Sequence, residues 1–317
     1  MATVGAAPAR RDKTAPGRHS GAVPELAVDR VVLIYNPNST GDAPEVARAL
    51  DEQLTGRFAD LPVHVRPTEH AGHARDLARE AAGEGCPLIV SVSGDGGYNE
   101  VVNGIMDAGN PDVTAAVVAA GNANDHRRIT KEHPLPEAIS LGTVTRMDLL
   151  RMTFESGGRR ETRYAHSYIG VGLTPVVAVD LEKGNKGSLR EIVTVVRTFR
   201  RFRPFRIELD SGRRMRIDSL VFANIPQMAK VATLSENGSP DDGRFEVITL
   251  AHLSKWRVLG TAVRAATRGL GPQPTAREYG FIALQPMPLQ MDGEVLRVEA
   301  GSRVRVEIAA SALRTLR

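Results

Sequence analysis

Three loops along this chain combine residue types that can hold a polyphosphate. The sharpest is Ser93-Gly94-Asp95-Gly96-Gly97-Tyr98-Asn99-Glu100, which follows the apolar run Leu88 to Val92. Glycines at a strand-to-helix junction let backbone approach a phosphate. The helix that follows offers unpaired N–H groups and the positive end of its dipole. A carboxylate there repels phosphate unless a cation stands between them, so Asp95 reads as a partner of magnesium, directly or through water. The structural alternative is a tight turn with a capping aspartate. Asn36-Pro37-Asn38-Ser39-Thr40-Gly41 is a second such loop, whose Asn and Ser side chains can bond phosphate oxygens or cap the next helix. Gly121-Asn122-Ala123-Asn124-Asp125 is the third. Late in the chain, Asp292-Gly293 is flanked by Leu289, Met291, Val295 and Val298 and reads as a two-residue hairpin turn. Such a hairpin is also a rigid mount for a carboxylate.

The elements that must position these loops follow from hydrophobic periodicity. Val31 to Tyr35, Leu88 to Val92 and Ala115 to Ala119 are short continuous apolar runs, the mark of strands buried on both faces. Pro62 to Pro67 supplies another strand. Helices between them carry Val46, Leu50 and Leu54, then Ala71, Ala74, Ala78 and Ala81, then Val101, Val102 and Ile105. Strand and helix alternate, so residues 29–145 predict an α/β domain with a largely parallel sheet. In such sheets ligands bind beyond the carboxyl ends of the strands, which is where all three loops fall. From about Arg146 the pattern changes to short strands: Met147 to Phe154, Tyr164 to Gly170, Phe205 to Leu209, Met215 to Asn224, Arg244 to Leu250, Glu278 to Leu284 and Arg303 to Ala309. Helices are expected only near Ser188 to Phe202 and Ser254 to Thr267. Residues 146–317 therefore predict an antiparallel β-rich domain, whose last strand could return to either half.

Composition bounds the function. A chain of 317 residues with 42% hydrophobic and 25% charged residues has the make-up of a globular protein of about two domains. No apolar stretch is long enough to span a membrane. Residues 1–28, rich in Ala, Gly, Pro and Arg, read as a disordered tail without the apolar core of a signal peptide. A net charge of +4 does not imply nucleic acid. The single cysteine, Cys86, excludes an internal disulfide; it suits a reducing cytoplasm and reads as a buried thiol. Arg197, Arg200, Arg201, Arg203 and Arg206, mixed with Phe199, Phe202 and Phe205, are either a solvated helix face or a helix that rests on anionic lipid. His70, His73, His126 and His133 show no metal-ligand spacing and read as surface histidines.

The loops also carry a resemblance. Asn36-Pro37 with Ser39 and Gly41, Gly94-Asp95-Gly96 with Asn99-Glu100, and Gly121 with Asn124-Asp125 stand in the order and spacing of the diacylglycerol kinase catalytic family. That family includes sphingosine kinases and bacterial lipid kinases, with NAD kinases as distant relatives. Asn224, Ala232, Asp241-Asp242-Gly243-Arg244-Phe245-Glu246-Val247 and Met291-Asp292-Gly293-Glu294 continue the likeness through the second half. The resemblance implies a NAD-kinase-like α/β domain, ATP and Mg2+, and transfer of the γ-phosphate to a lipid hydroxyl, diacylglycerol giving phosphatidic acid. It implies that Asn36, Pro37, Ser39, Thr68, Asn122 and the loop Gly94, Asp95, Gly96, Gly97, Asn99 and Glu100 serve the nucleotide. It further implies Asp292 and Glu294 at the general base, with Glu294 the better match, and Asp95 orienting the metal. Asp242, with the backbone carbonyls of Ser239 and Arg244, matches a structural magnesium site; the plain alternative is a solvated turn. The implied setting is the cytoplasm, with a lipid substrate at the inner membrane surface, and a homodimer is allowed.

Two positions depart from that pattern. Gly97 stands where the family usually has Thr, and Asn122 in a loop without the usual Pro and Thr. A sphingoid or other acceptor, or a nucleotide- or lipid-binding protein without catalysis, are the competing readings.

Overall fold

Alternate residues of the first strand already dictate a layered architecture. Val31 and Leu33 point to one buried cluster, Val32 and Ile34 to another, because successive strand side chains face opposite ways. A computed structural model describes residues 26–39, 42–120, 133–156, 158–172, 204–225, 227–228, 232–233, 239–251 and 271–316. The first half runs β1 (Val31–Tyr35), α1 (Ala43–Arg57), β2 (Val63–Pro67), α2 (His73–Ala82), β3 (Leu88–Ser93), α3 (Asp95–Ala108), β4 (Thr114–Ala119) and α4 (Leu135–Leu141). Strands β2, β1, β3 and β4 lie in that order and all pair in parallel. Helix α1 buries Ala43, Ala47, Leu50 and Leu54 on one face of the sheet, joined by Leu135 and Ile139 of α4. Helices α2 and α3 bury Leu77, Val101 and Val102 on the other. Burying each large side chain contributes on the order of 2 kcal/mol, so two-sided packing fixes the register of every central strand.

The second half runs β5 (Val144–Ser156), β6 (Arg159–Ala165), β7 (Tyr168–Gly172), β8 (Phe205–Leu209), β9 (Arg214–Ala223), β10 (Gln227–Met228), β11 (Ala232–Thr233), β12 (Phe245–Ala251), β13 (Thr275–Ala276), β14 (Glu278–Ala283), β15 (Met287–Met291), β16 (Glu294–Val298) and β17 (Arg303–Leu316). Pairing here is antiparallel, and a core around Phe222, Phe245, Phe281, Met152 and Leu289 closes it. Strand β17 outlasts its expected end at Ala309. It pairs antiparallel with β5, and its last turn of pleat pairs parallel with β4, Arg314 opposite Thr114. One sheet therefore runs through both halves. Where β17 crosses, residues 310–312 bulge opposite Asp148, Ser311 takes φ 51°, and its N–H donates to Asp148 Oδ1 at 2.7 Å.

The structure adjusts several expectations. Ala71 lies in the turn before α2, and Leu77 takes its place in the core. Cys86 is half-buried, not buried, in the loop before β3, where its N–H donates to Asp29. Leu26 and Val28, expected in the tail, lie against the α1 and α4 side of the sheet. The expected strand Tyr164 to Gly170 breaks at His166-Ser167. The helices expected near residues 188–202 and 254–267 lie outside the described residues, as does the tail to residue 25.

Candidate active site

Parallel pairing places the ends of β1 and β3 side by side, Tyr35 opposite Val92, so the loops after them share one rim. Between them lies a cleft of about 400 Å³, lined by Asn36, Thr68, Ser91, Ser93, Gly97 and Glu100 among others. Four residues assigned to the nucleotide from sequence, Asn36, Thr68, Gly97 and Glu100, thus meet in one cavity. Asn36 folds its side-chain oxygen back to accept from Asn38 N–H at 2.9 Å, and its backbone oxygen accepts from Ser39 N–H at 3.2 Å. Pro37 is exposed on the rim. Thr68 is buried and ties β2 to β1 through its N–H to Tyr35 O at 2.8 Å. The third loop, with Asn122, lies outside the described residues.

Helix α3 starts at Asp95, immediately after the extended Gly94, and aims its first turn at the cleft. Glu100 sits one turn in and accepts from Gly72 N–H at 3.2 Å, capping the start of α2. Burial raises its pKa, and the nearby Glu294 raises it further against the α2 amides. Asn99 and Asn103 are buried on the same helix. Asn103 pairs with the backbone of Tyr164 in β6, accepting from its N–H at 2.9 Å and donating to its carbonyl at 2.8 Å. The glycine mouth is therefore held by both halves of the molecule.

The hairpin between β15 and β16 closes the site from the second half. Its turn is Asp292 and Gly293, at φ 44° and 96°, a pairing of positive angles that suits a tight two-residue connection. The turn lies on the α3 mouth: a Cβ at Gly96 would be 3.6 Å from Asp292 O, and one at Gly293 would be 3.6 Å from Gly96. Asp292 is wholly buried and its carboxylate accepts from three backbone amides: His166 at 2.6 Å, Ser167 at 3.2 Å and Tyr168 at 2.8 Å. These amides turn toward the carboxylate instead of a neighbouring strand, which is why β6 and β7 are separate. Burial pushes the Asp292 carboxyl up, and the His166 ring and the three amides pull against it.

His166, which sequence reasoning passed over, joins the pieces. Its Nε2 lies 3.4 Å from Asp95 O and 3.4 Å from Asp292 Oδ2, and its Nδ1 lies 2.7 Å from Ser167 Oγ. Nε2 thus faces two oxygen acceptors, and Nδ1 faces a hydroxyl that can donate or accept. Its ring meets Tyr98 at 4.8 Å, and its carbonyl accepts from Asn224 at 3.0 Å, so Asn224 of the second-half motif shapes this loop too. No periodicity singles His166 out; a lone histidine between two strands is not legible without the third dimension.

Glu294, two residues beyond Asp292, is solvent-exposed. Although the side chain reaches water, the protein around it desolvates the carboxylate enough to raise its pKa; Arg75 opposes the rise and Glu161 adds to it. Arg75 is itself held by Asp107 at 2.6 and 2.9 Å. Away from the cleft, Asp242 accepts from Arg244 N–H at 2.9 Å, while Gly243 N–H donates to buried Asp148 at 2.7 Å. The Ser239 hydroxyl bonds to Asp241. Burial raises the Asp242 pKa, and Asp148 and Asp241 raise it further.

Comparison with known proteins agrees with this geometry. Residues 30–152, which include the cleft and its glycine mouth, match the diacylglycerol kinase catalytic domain. The chain is thus similar, through its first half, to the diacylglycerol kinase catalytic-domain family. It is an enzyme of the lipid-kinase class. It is 26% identical over 287 residues to a diacylglycerol kinase of Bacillus subtilis, covering 84% of this chain and 89% of that protein. It is 30% identical over 199 residues to sphingosine kinase 1 of Rattus norvegicus, covering 56% of this chain and 50% of that protein. A crystal structure of a diacylglycerol kinase from Bacillus anthracis superposes with a TM-score of 0.66 at 19% identity, covering 91% of this chain and 96% of that one. That likeness supports the mixed fold, a parallel α/β half joined to an antiparallel β-rich half. Among the described residues, no helix is long and apolar enough to cross a membrane.

Proposed function

We propose that this lipid kinase transfers the γ-phosphate of ATP to the hydroxyl of diacylglycerol, giving phosphatidic acid, at the inner surface of the membrane. The observation that supports it is the seating of the Asp292-Gly293 turn directly on the Gly94–Gly97 mouth, which brings the carboxylate-bearing hairpin to the nucleotide cleft. In this reading Asn36, Pro37, Ser39, Thr68 and the glycine mouth bind and orient ATP, with Asn122 completing the rim, while buried Asn99 braces the first turns of α3 through Asn103. Asp95, at the positive end of α3, holds the metal in place; a carboxylate beside a polyphosphate fits only with a cation between them. Magnesium bound there supplies charge neutralisation for the phosphates. Glu294, exposed where Asp292 is buried, takes the proton from the attacking lipid hydroxyl. Asp292 positions the hairpin and carries no proton in the reaction.

Thin-layer analysis of products from labelled ATP and a panel of lipids tests the proposal. Label in phosphatidic acid is expected; label only in a sphingoid base or a soluble acceptor would overturn the choice of diacylglycerol, and no labelled product would overturn the kinase reading. The same reading puts a second, structural metal at the exposed Asp242 carboxylate with the carbonyls of Ser239 and Arg244. Mg2+ should then raise the melting temperature, and Asp242→Asn should remove that gain; an unchanged gain assigns the loop to a plain turn.

A further inference from the structure

Gly97 does not have a positive φ, so its lack of a side chain has a steric cause. A Cβ built on it would lie 2.6 Å from Ser93 Oγ and 2.7 Å from Ser93 Cβ, closer than such atoms approach. Position 97 is bare because position 93 is filled. Ser93 ends β3, lines the cleft, and puts its hydroxyl where a side chain from the first turn of α3 would otherwise reach in. Behind it, buried Ser91 Oγ lies 2.7 Å from Ser93 Oγ, and Ser93 in turn donates to Gly94 O at 2.9 Å. With Ser91 donating to Ser93, the Ser93 hydrogen can swing from Gly94 O to a ligand by rotation about the Cβ–Oγ bond alone. No heavy atom moves.

We propose that Ser93 is a phosphate-binding residue of this site, its hydroxyl donating to a non-bridging oxygen of the ATP polyphosphate, and that Gly97 is its obligate partner. The proposal rests on the reading of the cleft as the nucleotide site. A hydroxyl at the end of a strand, next to helix amides already aimed at an anion, strengthens a contact that a side chain at 97 cannot make here. Ser93 and Gly97 form a reciprocal pair: a hydroxyl can come from either position, but not from both.

Calorimetric titration of the purified full chain with Mg–ATP and with adenosine tests the pair. Ser93→Ala should weaken Mg–ATP about tenfold, the worth of a hydrogen bond to a charged group, and leave adenosine unchanged. Gly97→Thr should weaken Mg–ATP more than Ser93→Ala does, because the new side chain collides with Ser93. Ser93→Gly with Gly97→Thr should recover most of the affinity, while Ser93→Ala with Gly97→Thr should not, since the alanine Cβ still obstructs. Should Ser93→Ala fail to fold, Ser93→Cys keeps the shape and weakens the donor. Wild-type Mg–ATP affinity in Ser93→Ala, an equal loss of adenosine, or no recovery in the glycine–threonine double variant would each overturn the proposal. If the wild-type chain itself takes up no Mg–ATP, the reading of the cleft fails instead.

Discussion

Two carboxylates two residues apart, Asp292 and Glu294, meet opposite fates because the hairpin turns between them. Asp292 is drawn inward to three amides, and Glu294 is left facing water beside Glu161 and Arg75. A proton acceptor must exchange with solvent or substrate, so Glu294→Gln should lower kcat by roughly 10²- to 10⁴-fold while Mg–ATP affinity holds. An unchanged kcat would remove Glu294 from the chemistry. The pH profile carries a sign as well. The active form is the ionised carboxylate, so activity falls as pH drops through its pKa. That pKa is raised, first by partial burial, which places the acid limb above that of an ordinary glutamate. Arg75 favours the charged form, so Arg75→Met, with Asp107→Asn to avoid stranding its partner, should move the limb to still higher pH. The shift should shrink in high salt, because the pair is reached by solvent. A limb that stays put, or moves down, contradicts the assignment.

At the scale of elements, α3 carries the site and is fastened at three points: Glu100 to α2, Asn103 to β6, and the Asp95 carbonyl to His166. Asn103→Ala would leave a part-buried amide and carbonyl of Tyr164 without their side-chain partner. The cost should be about 2 kcal/mol in urea denaturation, with an accompanying loss of kcat as the glycine mouth loosens. A loss of stability under about 0.5 kcal/mol would show that the two halves are held elsewhere. Much of this architecture was legible in the sequence. Buried parallel strands announce themselves as short apolar runs, and glycine-rich turns at their ends mark the rim, so Asn36, Gly94 and Gly97 could be placed together in advance. Asn103, four residues after Asn99 on an otherwise apolar helix face, was legible from the same periodicity as a buried polar partner. The break at His166 was not legible, because it depends on a carboxylate 126 residues away in the chain. Nor was the steric pairing of Ser93 with Gly97, which looks from sequence like a missing hydroxyl.

For the whole molecule, the decisive element is β17, which belongs to both halves at once. Its first part pairs with β14 and β5, and its last residues pair with β4 of the parallel sheet. The sequence obscured this because periodicity lapses through Ala309-Ala310-Ser311-Ala312, where the strand bulges around Asp148. That carboxylate also receives Gly243 N–H, so the bulge, the Asp242 loop and both halves share one buried side chain. Removing residues 310–317 would expose the edge of β4, strip buried Leu313 and Leu316 from their cores, and take one of the two amides from Asp148. At roughly 2 kcal/mol per large apolar side chain, plus the cost of a less satisfied buried carboxylate, the loss approaches the 5–15 kcal/mol that holds a typical domain together. Because the strand is continuous, the loss should not stay local. The full chain should unfold in one cooperative calorimetric transition, and the shortened chain should melt far lower or not fold, taking the second half with it. Two separable transitions in the full chain, or a shortened chain whose second half keeps its melting temperature, would mean that the halves fold independently and that β17 merely touches the first.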